Sequence, residues 1–237
     1  MKTSNIKNYG SIGHFPNSKL GTGDHHIGAG HVRLLTERKR DAWDTVFVHE
    51  KYDGSNVGII KWNNQILALT RSGRLAKDSR FKQHQLFALW VERRKVTFES
   101  MLQEGERVVG EWLAQAHGIR YKINTEPIVF FDYFSPENRR WTQNNLLEKL
   151  NHYELNSPRL LHKGDAISTE LLIPILNQKT PTIESVELPE GMVYRMERKD
   201  EVDFLAKWVR PDFCNGQYNI HAENDTPVWN VPIENLE

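Results

Sequence analysis

The stretch 45–62, TVFVHEKYDGSNVGIIKW, decides how the chain is read. Its short apolar runs on either side of a polar break read as two β-strands around a turn. Lys51 ends the first strand, and Asp53, Gly54, Ser55 and Asn56 follow at once. A lysine there is ordinarily a surface residue that buries its stem and keeps its ammonium in water. Its company points elsewhere. Gly54 lets a ligand approach the backbone, and Asp53 and Asn56 offer oxygens suited to a hard cation or its waters. A nucleophilic lysine must lose its proton, and moving its pKa from about 10.4 to near 7 costs about 4–5 kcal/mol. Burial or a neighbouring cation supplies that, and a metal ion is one such cation.

Outward from this turn, VGIIKW and QILALT flank Asn63-Asn64, a hairpin turn by composition because Asn tolerates φ > 0. SRFKQHQLFALWVERRKVTFESMLQ reads as one helix with Phe81, Leu86, Leu89 and Trp90 on one face. ERVVGEWLA and PIVFFDYF are the next strands, Thr142 caps a helix through NNLLEKLNHY, and STELLIPILNQ gives another helix interrupted by Pro174. GMVYRM and DFLAKWVR are the last strands. Residues 1–40 read as a polar, turn-rich leader and residues 211–237 as a short surface tail, all in one domain, 1–237. Strand pairs alternating with helices predict an α+β fold with mainly antiparallel sheets flanked by helices.

Composition narrows the function classes. The 237 residues are 38% hydrophobic and 10% aromatic, enough for a core, with a formal net charge of zero. No apolar run approaches the roughly 20 residues that span a bilayer, so no membrane partner is expected. The N-terminus has no secretory h-region. A single cysteine, Cys214, rules out an internal disulfide framework and fits the reducing cytoplasm. A globally basic chain is absent, but Arg71 to Lys95 holds eight basic residues against Asp78 and Glu92. Such a segment tracks a phosphate backbone or forms a solvated helix face.

EKYDGSN at 50–56 carries the Lys-x-Asp-Gly pattern, and five further segments follow in order: TRSGR at 70–74, GEWL at 110–113, FFDYF at 130–134, EGMVYRM at 190–196 and AKWVR at 206–210. Together these resemble the motifs of the covalent lysine nucleotidyltransferases, the superfamily of nucleic-acid ligases and mRNA-capping enzymes. The leader HFPNSKLGTGD and the closing PVWNVPIENLE are similar to those of small nick-sealing or repair RNA ligases. The resemblance implies a ligase-type adenylation domain that joins 5′-phosphate and 3′-hydroxyl RNA ends, using ATP and Mg²⁺ or Mn²⁺, as a monomer acting on RNA ends or a nicked duplex. The 27 residues after Arg210 are too few for the oligonucleotide-binding (OB) barrel of larger relatives.

The resemblance assigns roles residue by residue. Lys51 is the nucleophile, and Asp53, Glu190 and Lys207 are catalytic. Glu50, Gly54, Asn56, Arg71, Glu111 and Phe131 join Lys51 and Lys207 in holding the nucleotide. Within that set Glu111 takes the ribose hydroxyls, Phe131 stacks on adenine and Lys207 contacts the α-phosphate. Glu190 and Asp53 hold the metal, and Arg71, Arg74 and Arg210 meet nucleic acid. One departure stands out: many relatives place a second lysine where this chain has Val209. Adjacent strand residues face opposite ways, so Arg210 is no simple replacement, and Arg195, Arg198 and Lys199 are further candidates. His25, His26 and His31 lack regular metal-ligand spacing and read as a loop near the end-binding surface. A DNA-directed or RNA/DNA hybrid nick ligase, a capping-type nucleotidyltransferase and a nucleotide-binding module without sealing activity are the competing readings.

Overall fold

The computed structural model describes residues 8–219 and 226–236. In chain order the elements are β1 (Gly13–His14), α1 (Ala29–Thr36), β2 (Asp44–Lys51), β3 (Ser55–Trp62), β4 (Gln65–Thr70), α2 (Lys82–Arg93), α3 (Lys95–Met101) and β5 (Arg107–Trp112). They continue with β6 (Tyr121–Ile123), β7 (Ile128–Phe134), α4 (Gln143–His152), β8 (Leu160–Gly164), α5 (Thr169–Leu176), β9 (Ile183–Ser185), β10 (Gly191–Arg198) and β11 (Glu201–Val209). Two sheets organise them, one in the order β1-β11-β10-β2-β8 and one in the order β4-β3-β5-β7; β6 and β9 form a small third pair. Apart from the parallel β1–β11 pair, the sheet pairings are antiparallel, as the sequence predicts.

Side-chain alternation gives each large sheet one core face and one face toward the other sheet. Val46, Val48, Met192, Tyr194, Met196, Ala206 and Trp208 pack into one core with Leu35 of α1 and Leu172 and Leu176 of α5. Val57, Ile59, Val108, Phe130 and Tyr133 pack into another with α2, α3 and α4. The β3–β4 hairpin turns at Asn63 and Asn64, both at positive φ (50° and 58°), as their residue type anticipates. Thr142 caps α4 by accepting the Asn145 N–H, and Pro174 lies inside α5.

Four expectations need correction. The long helix is two helices meeting at Arg94, and its buried stripe is Gln83, Leu86, Phe87, Trp90 and Val91. Phe81 precedes the first turn, and Leu89 falls off that stripe at 3.6 residues per turn; both are exposed. Residues 8–40, the described part of the leader, are more than turn-rich, since β1 adds to the first sheet and α1 packs on its core. The segment 226–236 is no loose tail: Leu236 is buried in the β3–β5–β7 core, with Trp229, Val231 and Ile233 packed against it. Its backbone is pinned as well, because the Ala116 N–H donates to the Val228 carbonyl and the Asn230 N–H to that of Ala114.

Candidate active site

Between the two sheets lies a cavity of about 180 Å³, lined by Glu50, Lys51, Asn56, Arg71, Glu111, Phe131 and Lys207 among others. Strand register explains the convergence. His49, Val193 and Lys207 lie opposite one another on β2, β10 and β11, and Lys51 faces Gly191 one step along. Asn56, Glu111 and Val129 form the corresponding row on β3, β5 and β7. These seven predicted nucleotide contacts, spread over 157 positions from Glu50 to Lys207, thus share one chamber.

Lys51 sits among carboxylates. Its Nζ donates to Glu190 Oε2 at 2.5 Å. Burial alone lowers an ammonium's pKa, but Glu190, Glu111 and Asp53 outweigh it and hold the Lys51 amine above its ordinary value. Burial pushes the Glu111 carboxyl up to about 8 and that of Glu190 to about 7, with Lys51 opposing both shifts. Glu50, buried beside Arg159 at 3.8 Å, rises to about 7 for the same desolvation reason. Lys51 therefore rests as an ammonium in an acidic pocket.

Gly54 does not line the chamber, but its N–H donates to Glu111 Oε1 at 3.1 Å and so fixes that carboxylate. A Cβ on Gly54 would lie 2.4 Å from the Trp112 carbonyl oxygen. Gly191 is tighter still, since an added Cβ would stand 1.9 Å from the Trp208 carbonyl oxygen. Backbone cannot yield as a side chain does. Gly191→Ala should therefore cost about 1–3 kcal/mol in a urea melt, and an unchanged midpoint would contradict the close packing of β10 on β11.

Of the expected metal pair, Glu190 holds Lys51, while Asp53 Oδ2 accepts the Gly118 N–H at 2.5 Å. Among the described residues no group of three or more His, Cys, Asp or Glu is arranged to hold a metal ion. The chemistry nevertheless suits a hard cation: Glu190 and Asp53 are buried oxygen donors, and Mg²⁺ commonly takes one or two carboxylates and completes its shell with substrate phosphates and water. Arg74 is exposed and away from the chamber lining. Arg210 is also outside it, bonding Pro189 O at 3.2 Å and Asn177 Oδ1 at 2.7 Å. Val209 is buried among Tyr52, Leu113 and Phe213. Of the candidates for a second cation, Arg195 alone lines the chamber; Arg198 pairs with Asp41 and Asp44, and Lys199 lies in the β10–β11 turn. His25, His26 and His31 are exposed.

Tyr9, His49 and Gln143 also line the chamber and were not anticipated, whereas Arg195 was anticipated only as a candidate for the second cation. His49 and Arg195 were within reach of the strand alternation, which puts them on the faces of Lys51 and Val193. Arg195 is 2% exposed and donates to Asp132 Oδ1 at 2.7 Å. Asp132, fully buried, also accepts from Tyr9 Oη at 2.8 Å and Arg140 Nε at 3.1 Å. This cluster ties β7 of one sheet to β10 of the other beneath the chamber. His49 keeps a buried Nε2 without a protein partner. Burial, and secondarily Arg195, lower its pKa to about 3. Its ring signals should accordingly stay flat in an NMR titration from pH 5 to 8; an inflection near the ordinary imidazole value would show that the ring is solvated.

The family model for RNA ligase matches residues 44–209. No curated protein matches the chain. Among solved structures it is similar to a putative ATP-dependent DNA ligase from Aquifex aeolicus (TM-score 0.54, 17% identity, 85% of this chain and 49% of that one). It is also similar to an archaeal ATP-dependent RNA ligase (TM-score 0.51, 17% identity, 85% and 48%). A Naegleria gruberi RNA ligase variant with ATP and Mn gives a TM-score of 0.50 at 13% identity, covering 76% and 52%. The chain thus spans about half the length of these three structures, and the likeness is one of fold.

Proposed function

Because the chain belongs to the RNA ligase family, we propose that it is an ATP-dependent RNA ligase that seals 5′-phosphate to 3′-hydroxyl ends through a lysyl-AMP on Lys51. The observation that carries this reading is the single chamber in which Lys51, Asn56, Arg71, Glu111, Phe131 and Lys207 meet. In the first step the Lys51 ammonium gives up a proton to solvent. Its Nζ lone pair forms a bond to the α-phosphorus of ATP while the bond to the bridging oxygen breaks, and pyrophosphate leaves as the nitrogen sheds a second proton to solvent. An oxygen of the RNA 5′-phosphate then attacks the same phosphorus, the P–N bond breaks, and the amine regains a proton. Finally the 3′-hydroxyl loses its proton and attacks the adenylylated 5′-phosphorus, and AMP departs.

Every step develops charge on phosphoryl oxygens, so fixed cations and in-line placement dominate the catalysis. Lys207 and Arg71 supply positive charge at the chamber, and the half-buried Phe131 ring offers the base a stacking face. Glu111, fixed by the Gly54 N–H, suits the ribose hydroxyls. A divalent cation bound through Glu190, Asp53 and the nucleotide's phosphates would offset the carboxylates that keep Lys51 protonated and so favour the free amine. Arg71, Arg74 and Arg210 are assigned to nucleic acid, and the protein to the cytoplasm as a monomer engaged in RNA repair. These assignments extend the resemblance and the single cysteine.

Purified protein incubated with α-labelled ATP and Mn²⁺ or Mg²⁺ should acquire covalently bound AMP that survives alkali and is released by acid, as a P–N bond requires. It should then seal nicked duplexes in a panel with RNA or DNA at each side of the nick. Labelling by GTP in preference to ATP would replace this reading with a capping-type one, and labelling without sealing of any substrate would leave only an adenylylating module.

A further inference from the structure

The leader residues His14, Ser18 and Asp24 take no part in the steps above, yet they form a connected chain of contacts around β11. The Val209 N–H donates to Ser18 Oγ at 2.8 Å. Ser18 Oγ lies 2.8 Å from His14 Nδ1. His14 Nε2 is 3.0 Å from Asp24 Oδ2. Asp24 Oδ1 in turn reaches Lys207 Nζ at 3.5 Å. The chain thus leaves β11 at Val209 and returns to it at Lys207, two residues earlier on the same strand.

The leader is anchored where this requires. Phe15 N–H donates to the Lys207 carbonyl and Lys19 N–H to that of Val209, so the segment runs along the β11 edge. The Gly21 N–H donates to Asp24 Oδ2 at 2.9 Å, fixing the carboxylate independently of the lysine. His14 is 2% exposed, which makes it a rigid strut and not a surface side chain. Burial and the neighbouring Lys207 and Lys51 lower the His14 pKa and favour its neutral ring. Ser18 Oγ lies beside Nδ1, and Nε2 on the other side of the ring faces the Asp24 carboxylate. Two ammonium groups, Lys51 and Lys207, border one chamber, and each has its own carboxylate: Glu190 for the first and Asp24 for the second.

We propose that Asp24, braced by His14 and the Gly21 amide, is a positioning residue for Lys207: it holds that side chain aimed at the chamber until a phosphate takes its place. A long flexible lysine otherwise samples many rotamers, and holding a charge at its point of use lowers the ordering cost of the reaction. The inference rests on the adenylyl-transfer reading for its kinetic arm only.

The nucleotide-free arm is competitive acylation of the protein by acetic anhydride near neutral pH, read residue by residue by mass spectrometry. Asp24→Asn keeps an oxygen for the Gly21 amide but removes the charge, so Lys207 should acylate severalfold faster than in the wild type while Lys61, remote from the leader, is unchanged. Equal Lys207 labelling in both proteins overturns the proposal, whatever the enzyme's activity. The kinetic arm is a double-mutant cycle on single-turnover lysyl-AMP formation. Asp24→Asn should slow the step about 10- to 100-fold in the wild-type background and less than about twofold when Lys207 is already alanine. A full effect in both backgrounds would mean that Asp24 acts through the fold and not through Lys207, and overturns the assignment. His14→Ala should follow the same non-additive pattern. If wild-type protein forms no lysyl-AMP, the adenylyl-transfer reading fails, and acylation alone decides the positioning.

Discussion

Lys51→Ala should reduce the transfer of labelled AMP from ATP to protein by at least about four orders of magnitude, the scale on which enzymes lose rate when a covalent nucleophile is removed. Lys51→Arg should be equally inert, because a guanidinium keeps its proton and has no lone pair to offer. Both variants should still fold. The Glu190 carboxyl left behind already has its pKa raised to about 7 by burial, so it can take up a proton and does not stay as an unpaired buried charge. Intact-mass spectrometry after incubation with ATP and Mn²⁺ reads the result directly. An adduct of AMP mass on Lys51→Ala at wild-type level would place the nucleophile elsewhere and sink the mechanism.

Asp132→Ala should have the largest effect on stability. It removes the shared acceptor of Arg195, Arg140 and Tyr9 and leaves a guanidinium that is 2% exposed with only Glu197 and the Trp141 carbonyl. Breaking a buried pair by deleting one partner costs about 3–5 kcal/mol, read as a lowered urea midpoint. The loss should reach the chamber as well, since Arg195 and Tyr9 line it and Asp132 bridges the two sheets that enclose it. A cost under about 1 kcal/mol would show that water or a rotated partner satisfies the arginine, and that the two sheets are held together by apolar packing alone.

The residues that share the chamber were legible to the extent that they carry chemistry in a local pattern. Lys51, Glu111, Phe131 and Lys207 each stand in a short segment whose order along the chain identifies them, and strand alternation then aims them correctly. Asp132 was visible inside one of those segments, but its three partners come from residues 9, 140 and 195, and no local pattern joins these. The segment 226–236 misled for a related reason: Pro and Asn interrupt its apolar residues at 227, 230, 232 and 235, and only tertiary contact reveals that Trp229 and Leu236 find a core. Phe81 and Leu89 failed through geometry, as apolar residues near a helical stripe but not on it. The short strands β6, β8 and β9 escaped because three to five residues carry too little periodicity to distinguish strand from loop.

The pairing of β2 with β10 also bears on how the protein is made. Lys51 and Glu190 are 139 positions apart, so during translation the lysine-bearing strand emerges long before the neighbour that covers one of its edges. Until β10 leaves the ribosome, that edge presents free N–H and C=O groups beside the apolar side chains of Val46 and Val48. Such an edge is a template for pairing with another nascent chain. Synthesis slowed while β10 is still inside the ribosome should therefore raise the aggregated fraction, whereas the same pause placed after β10 has emerged should not.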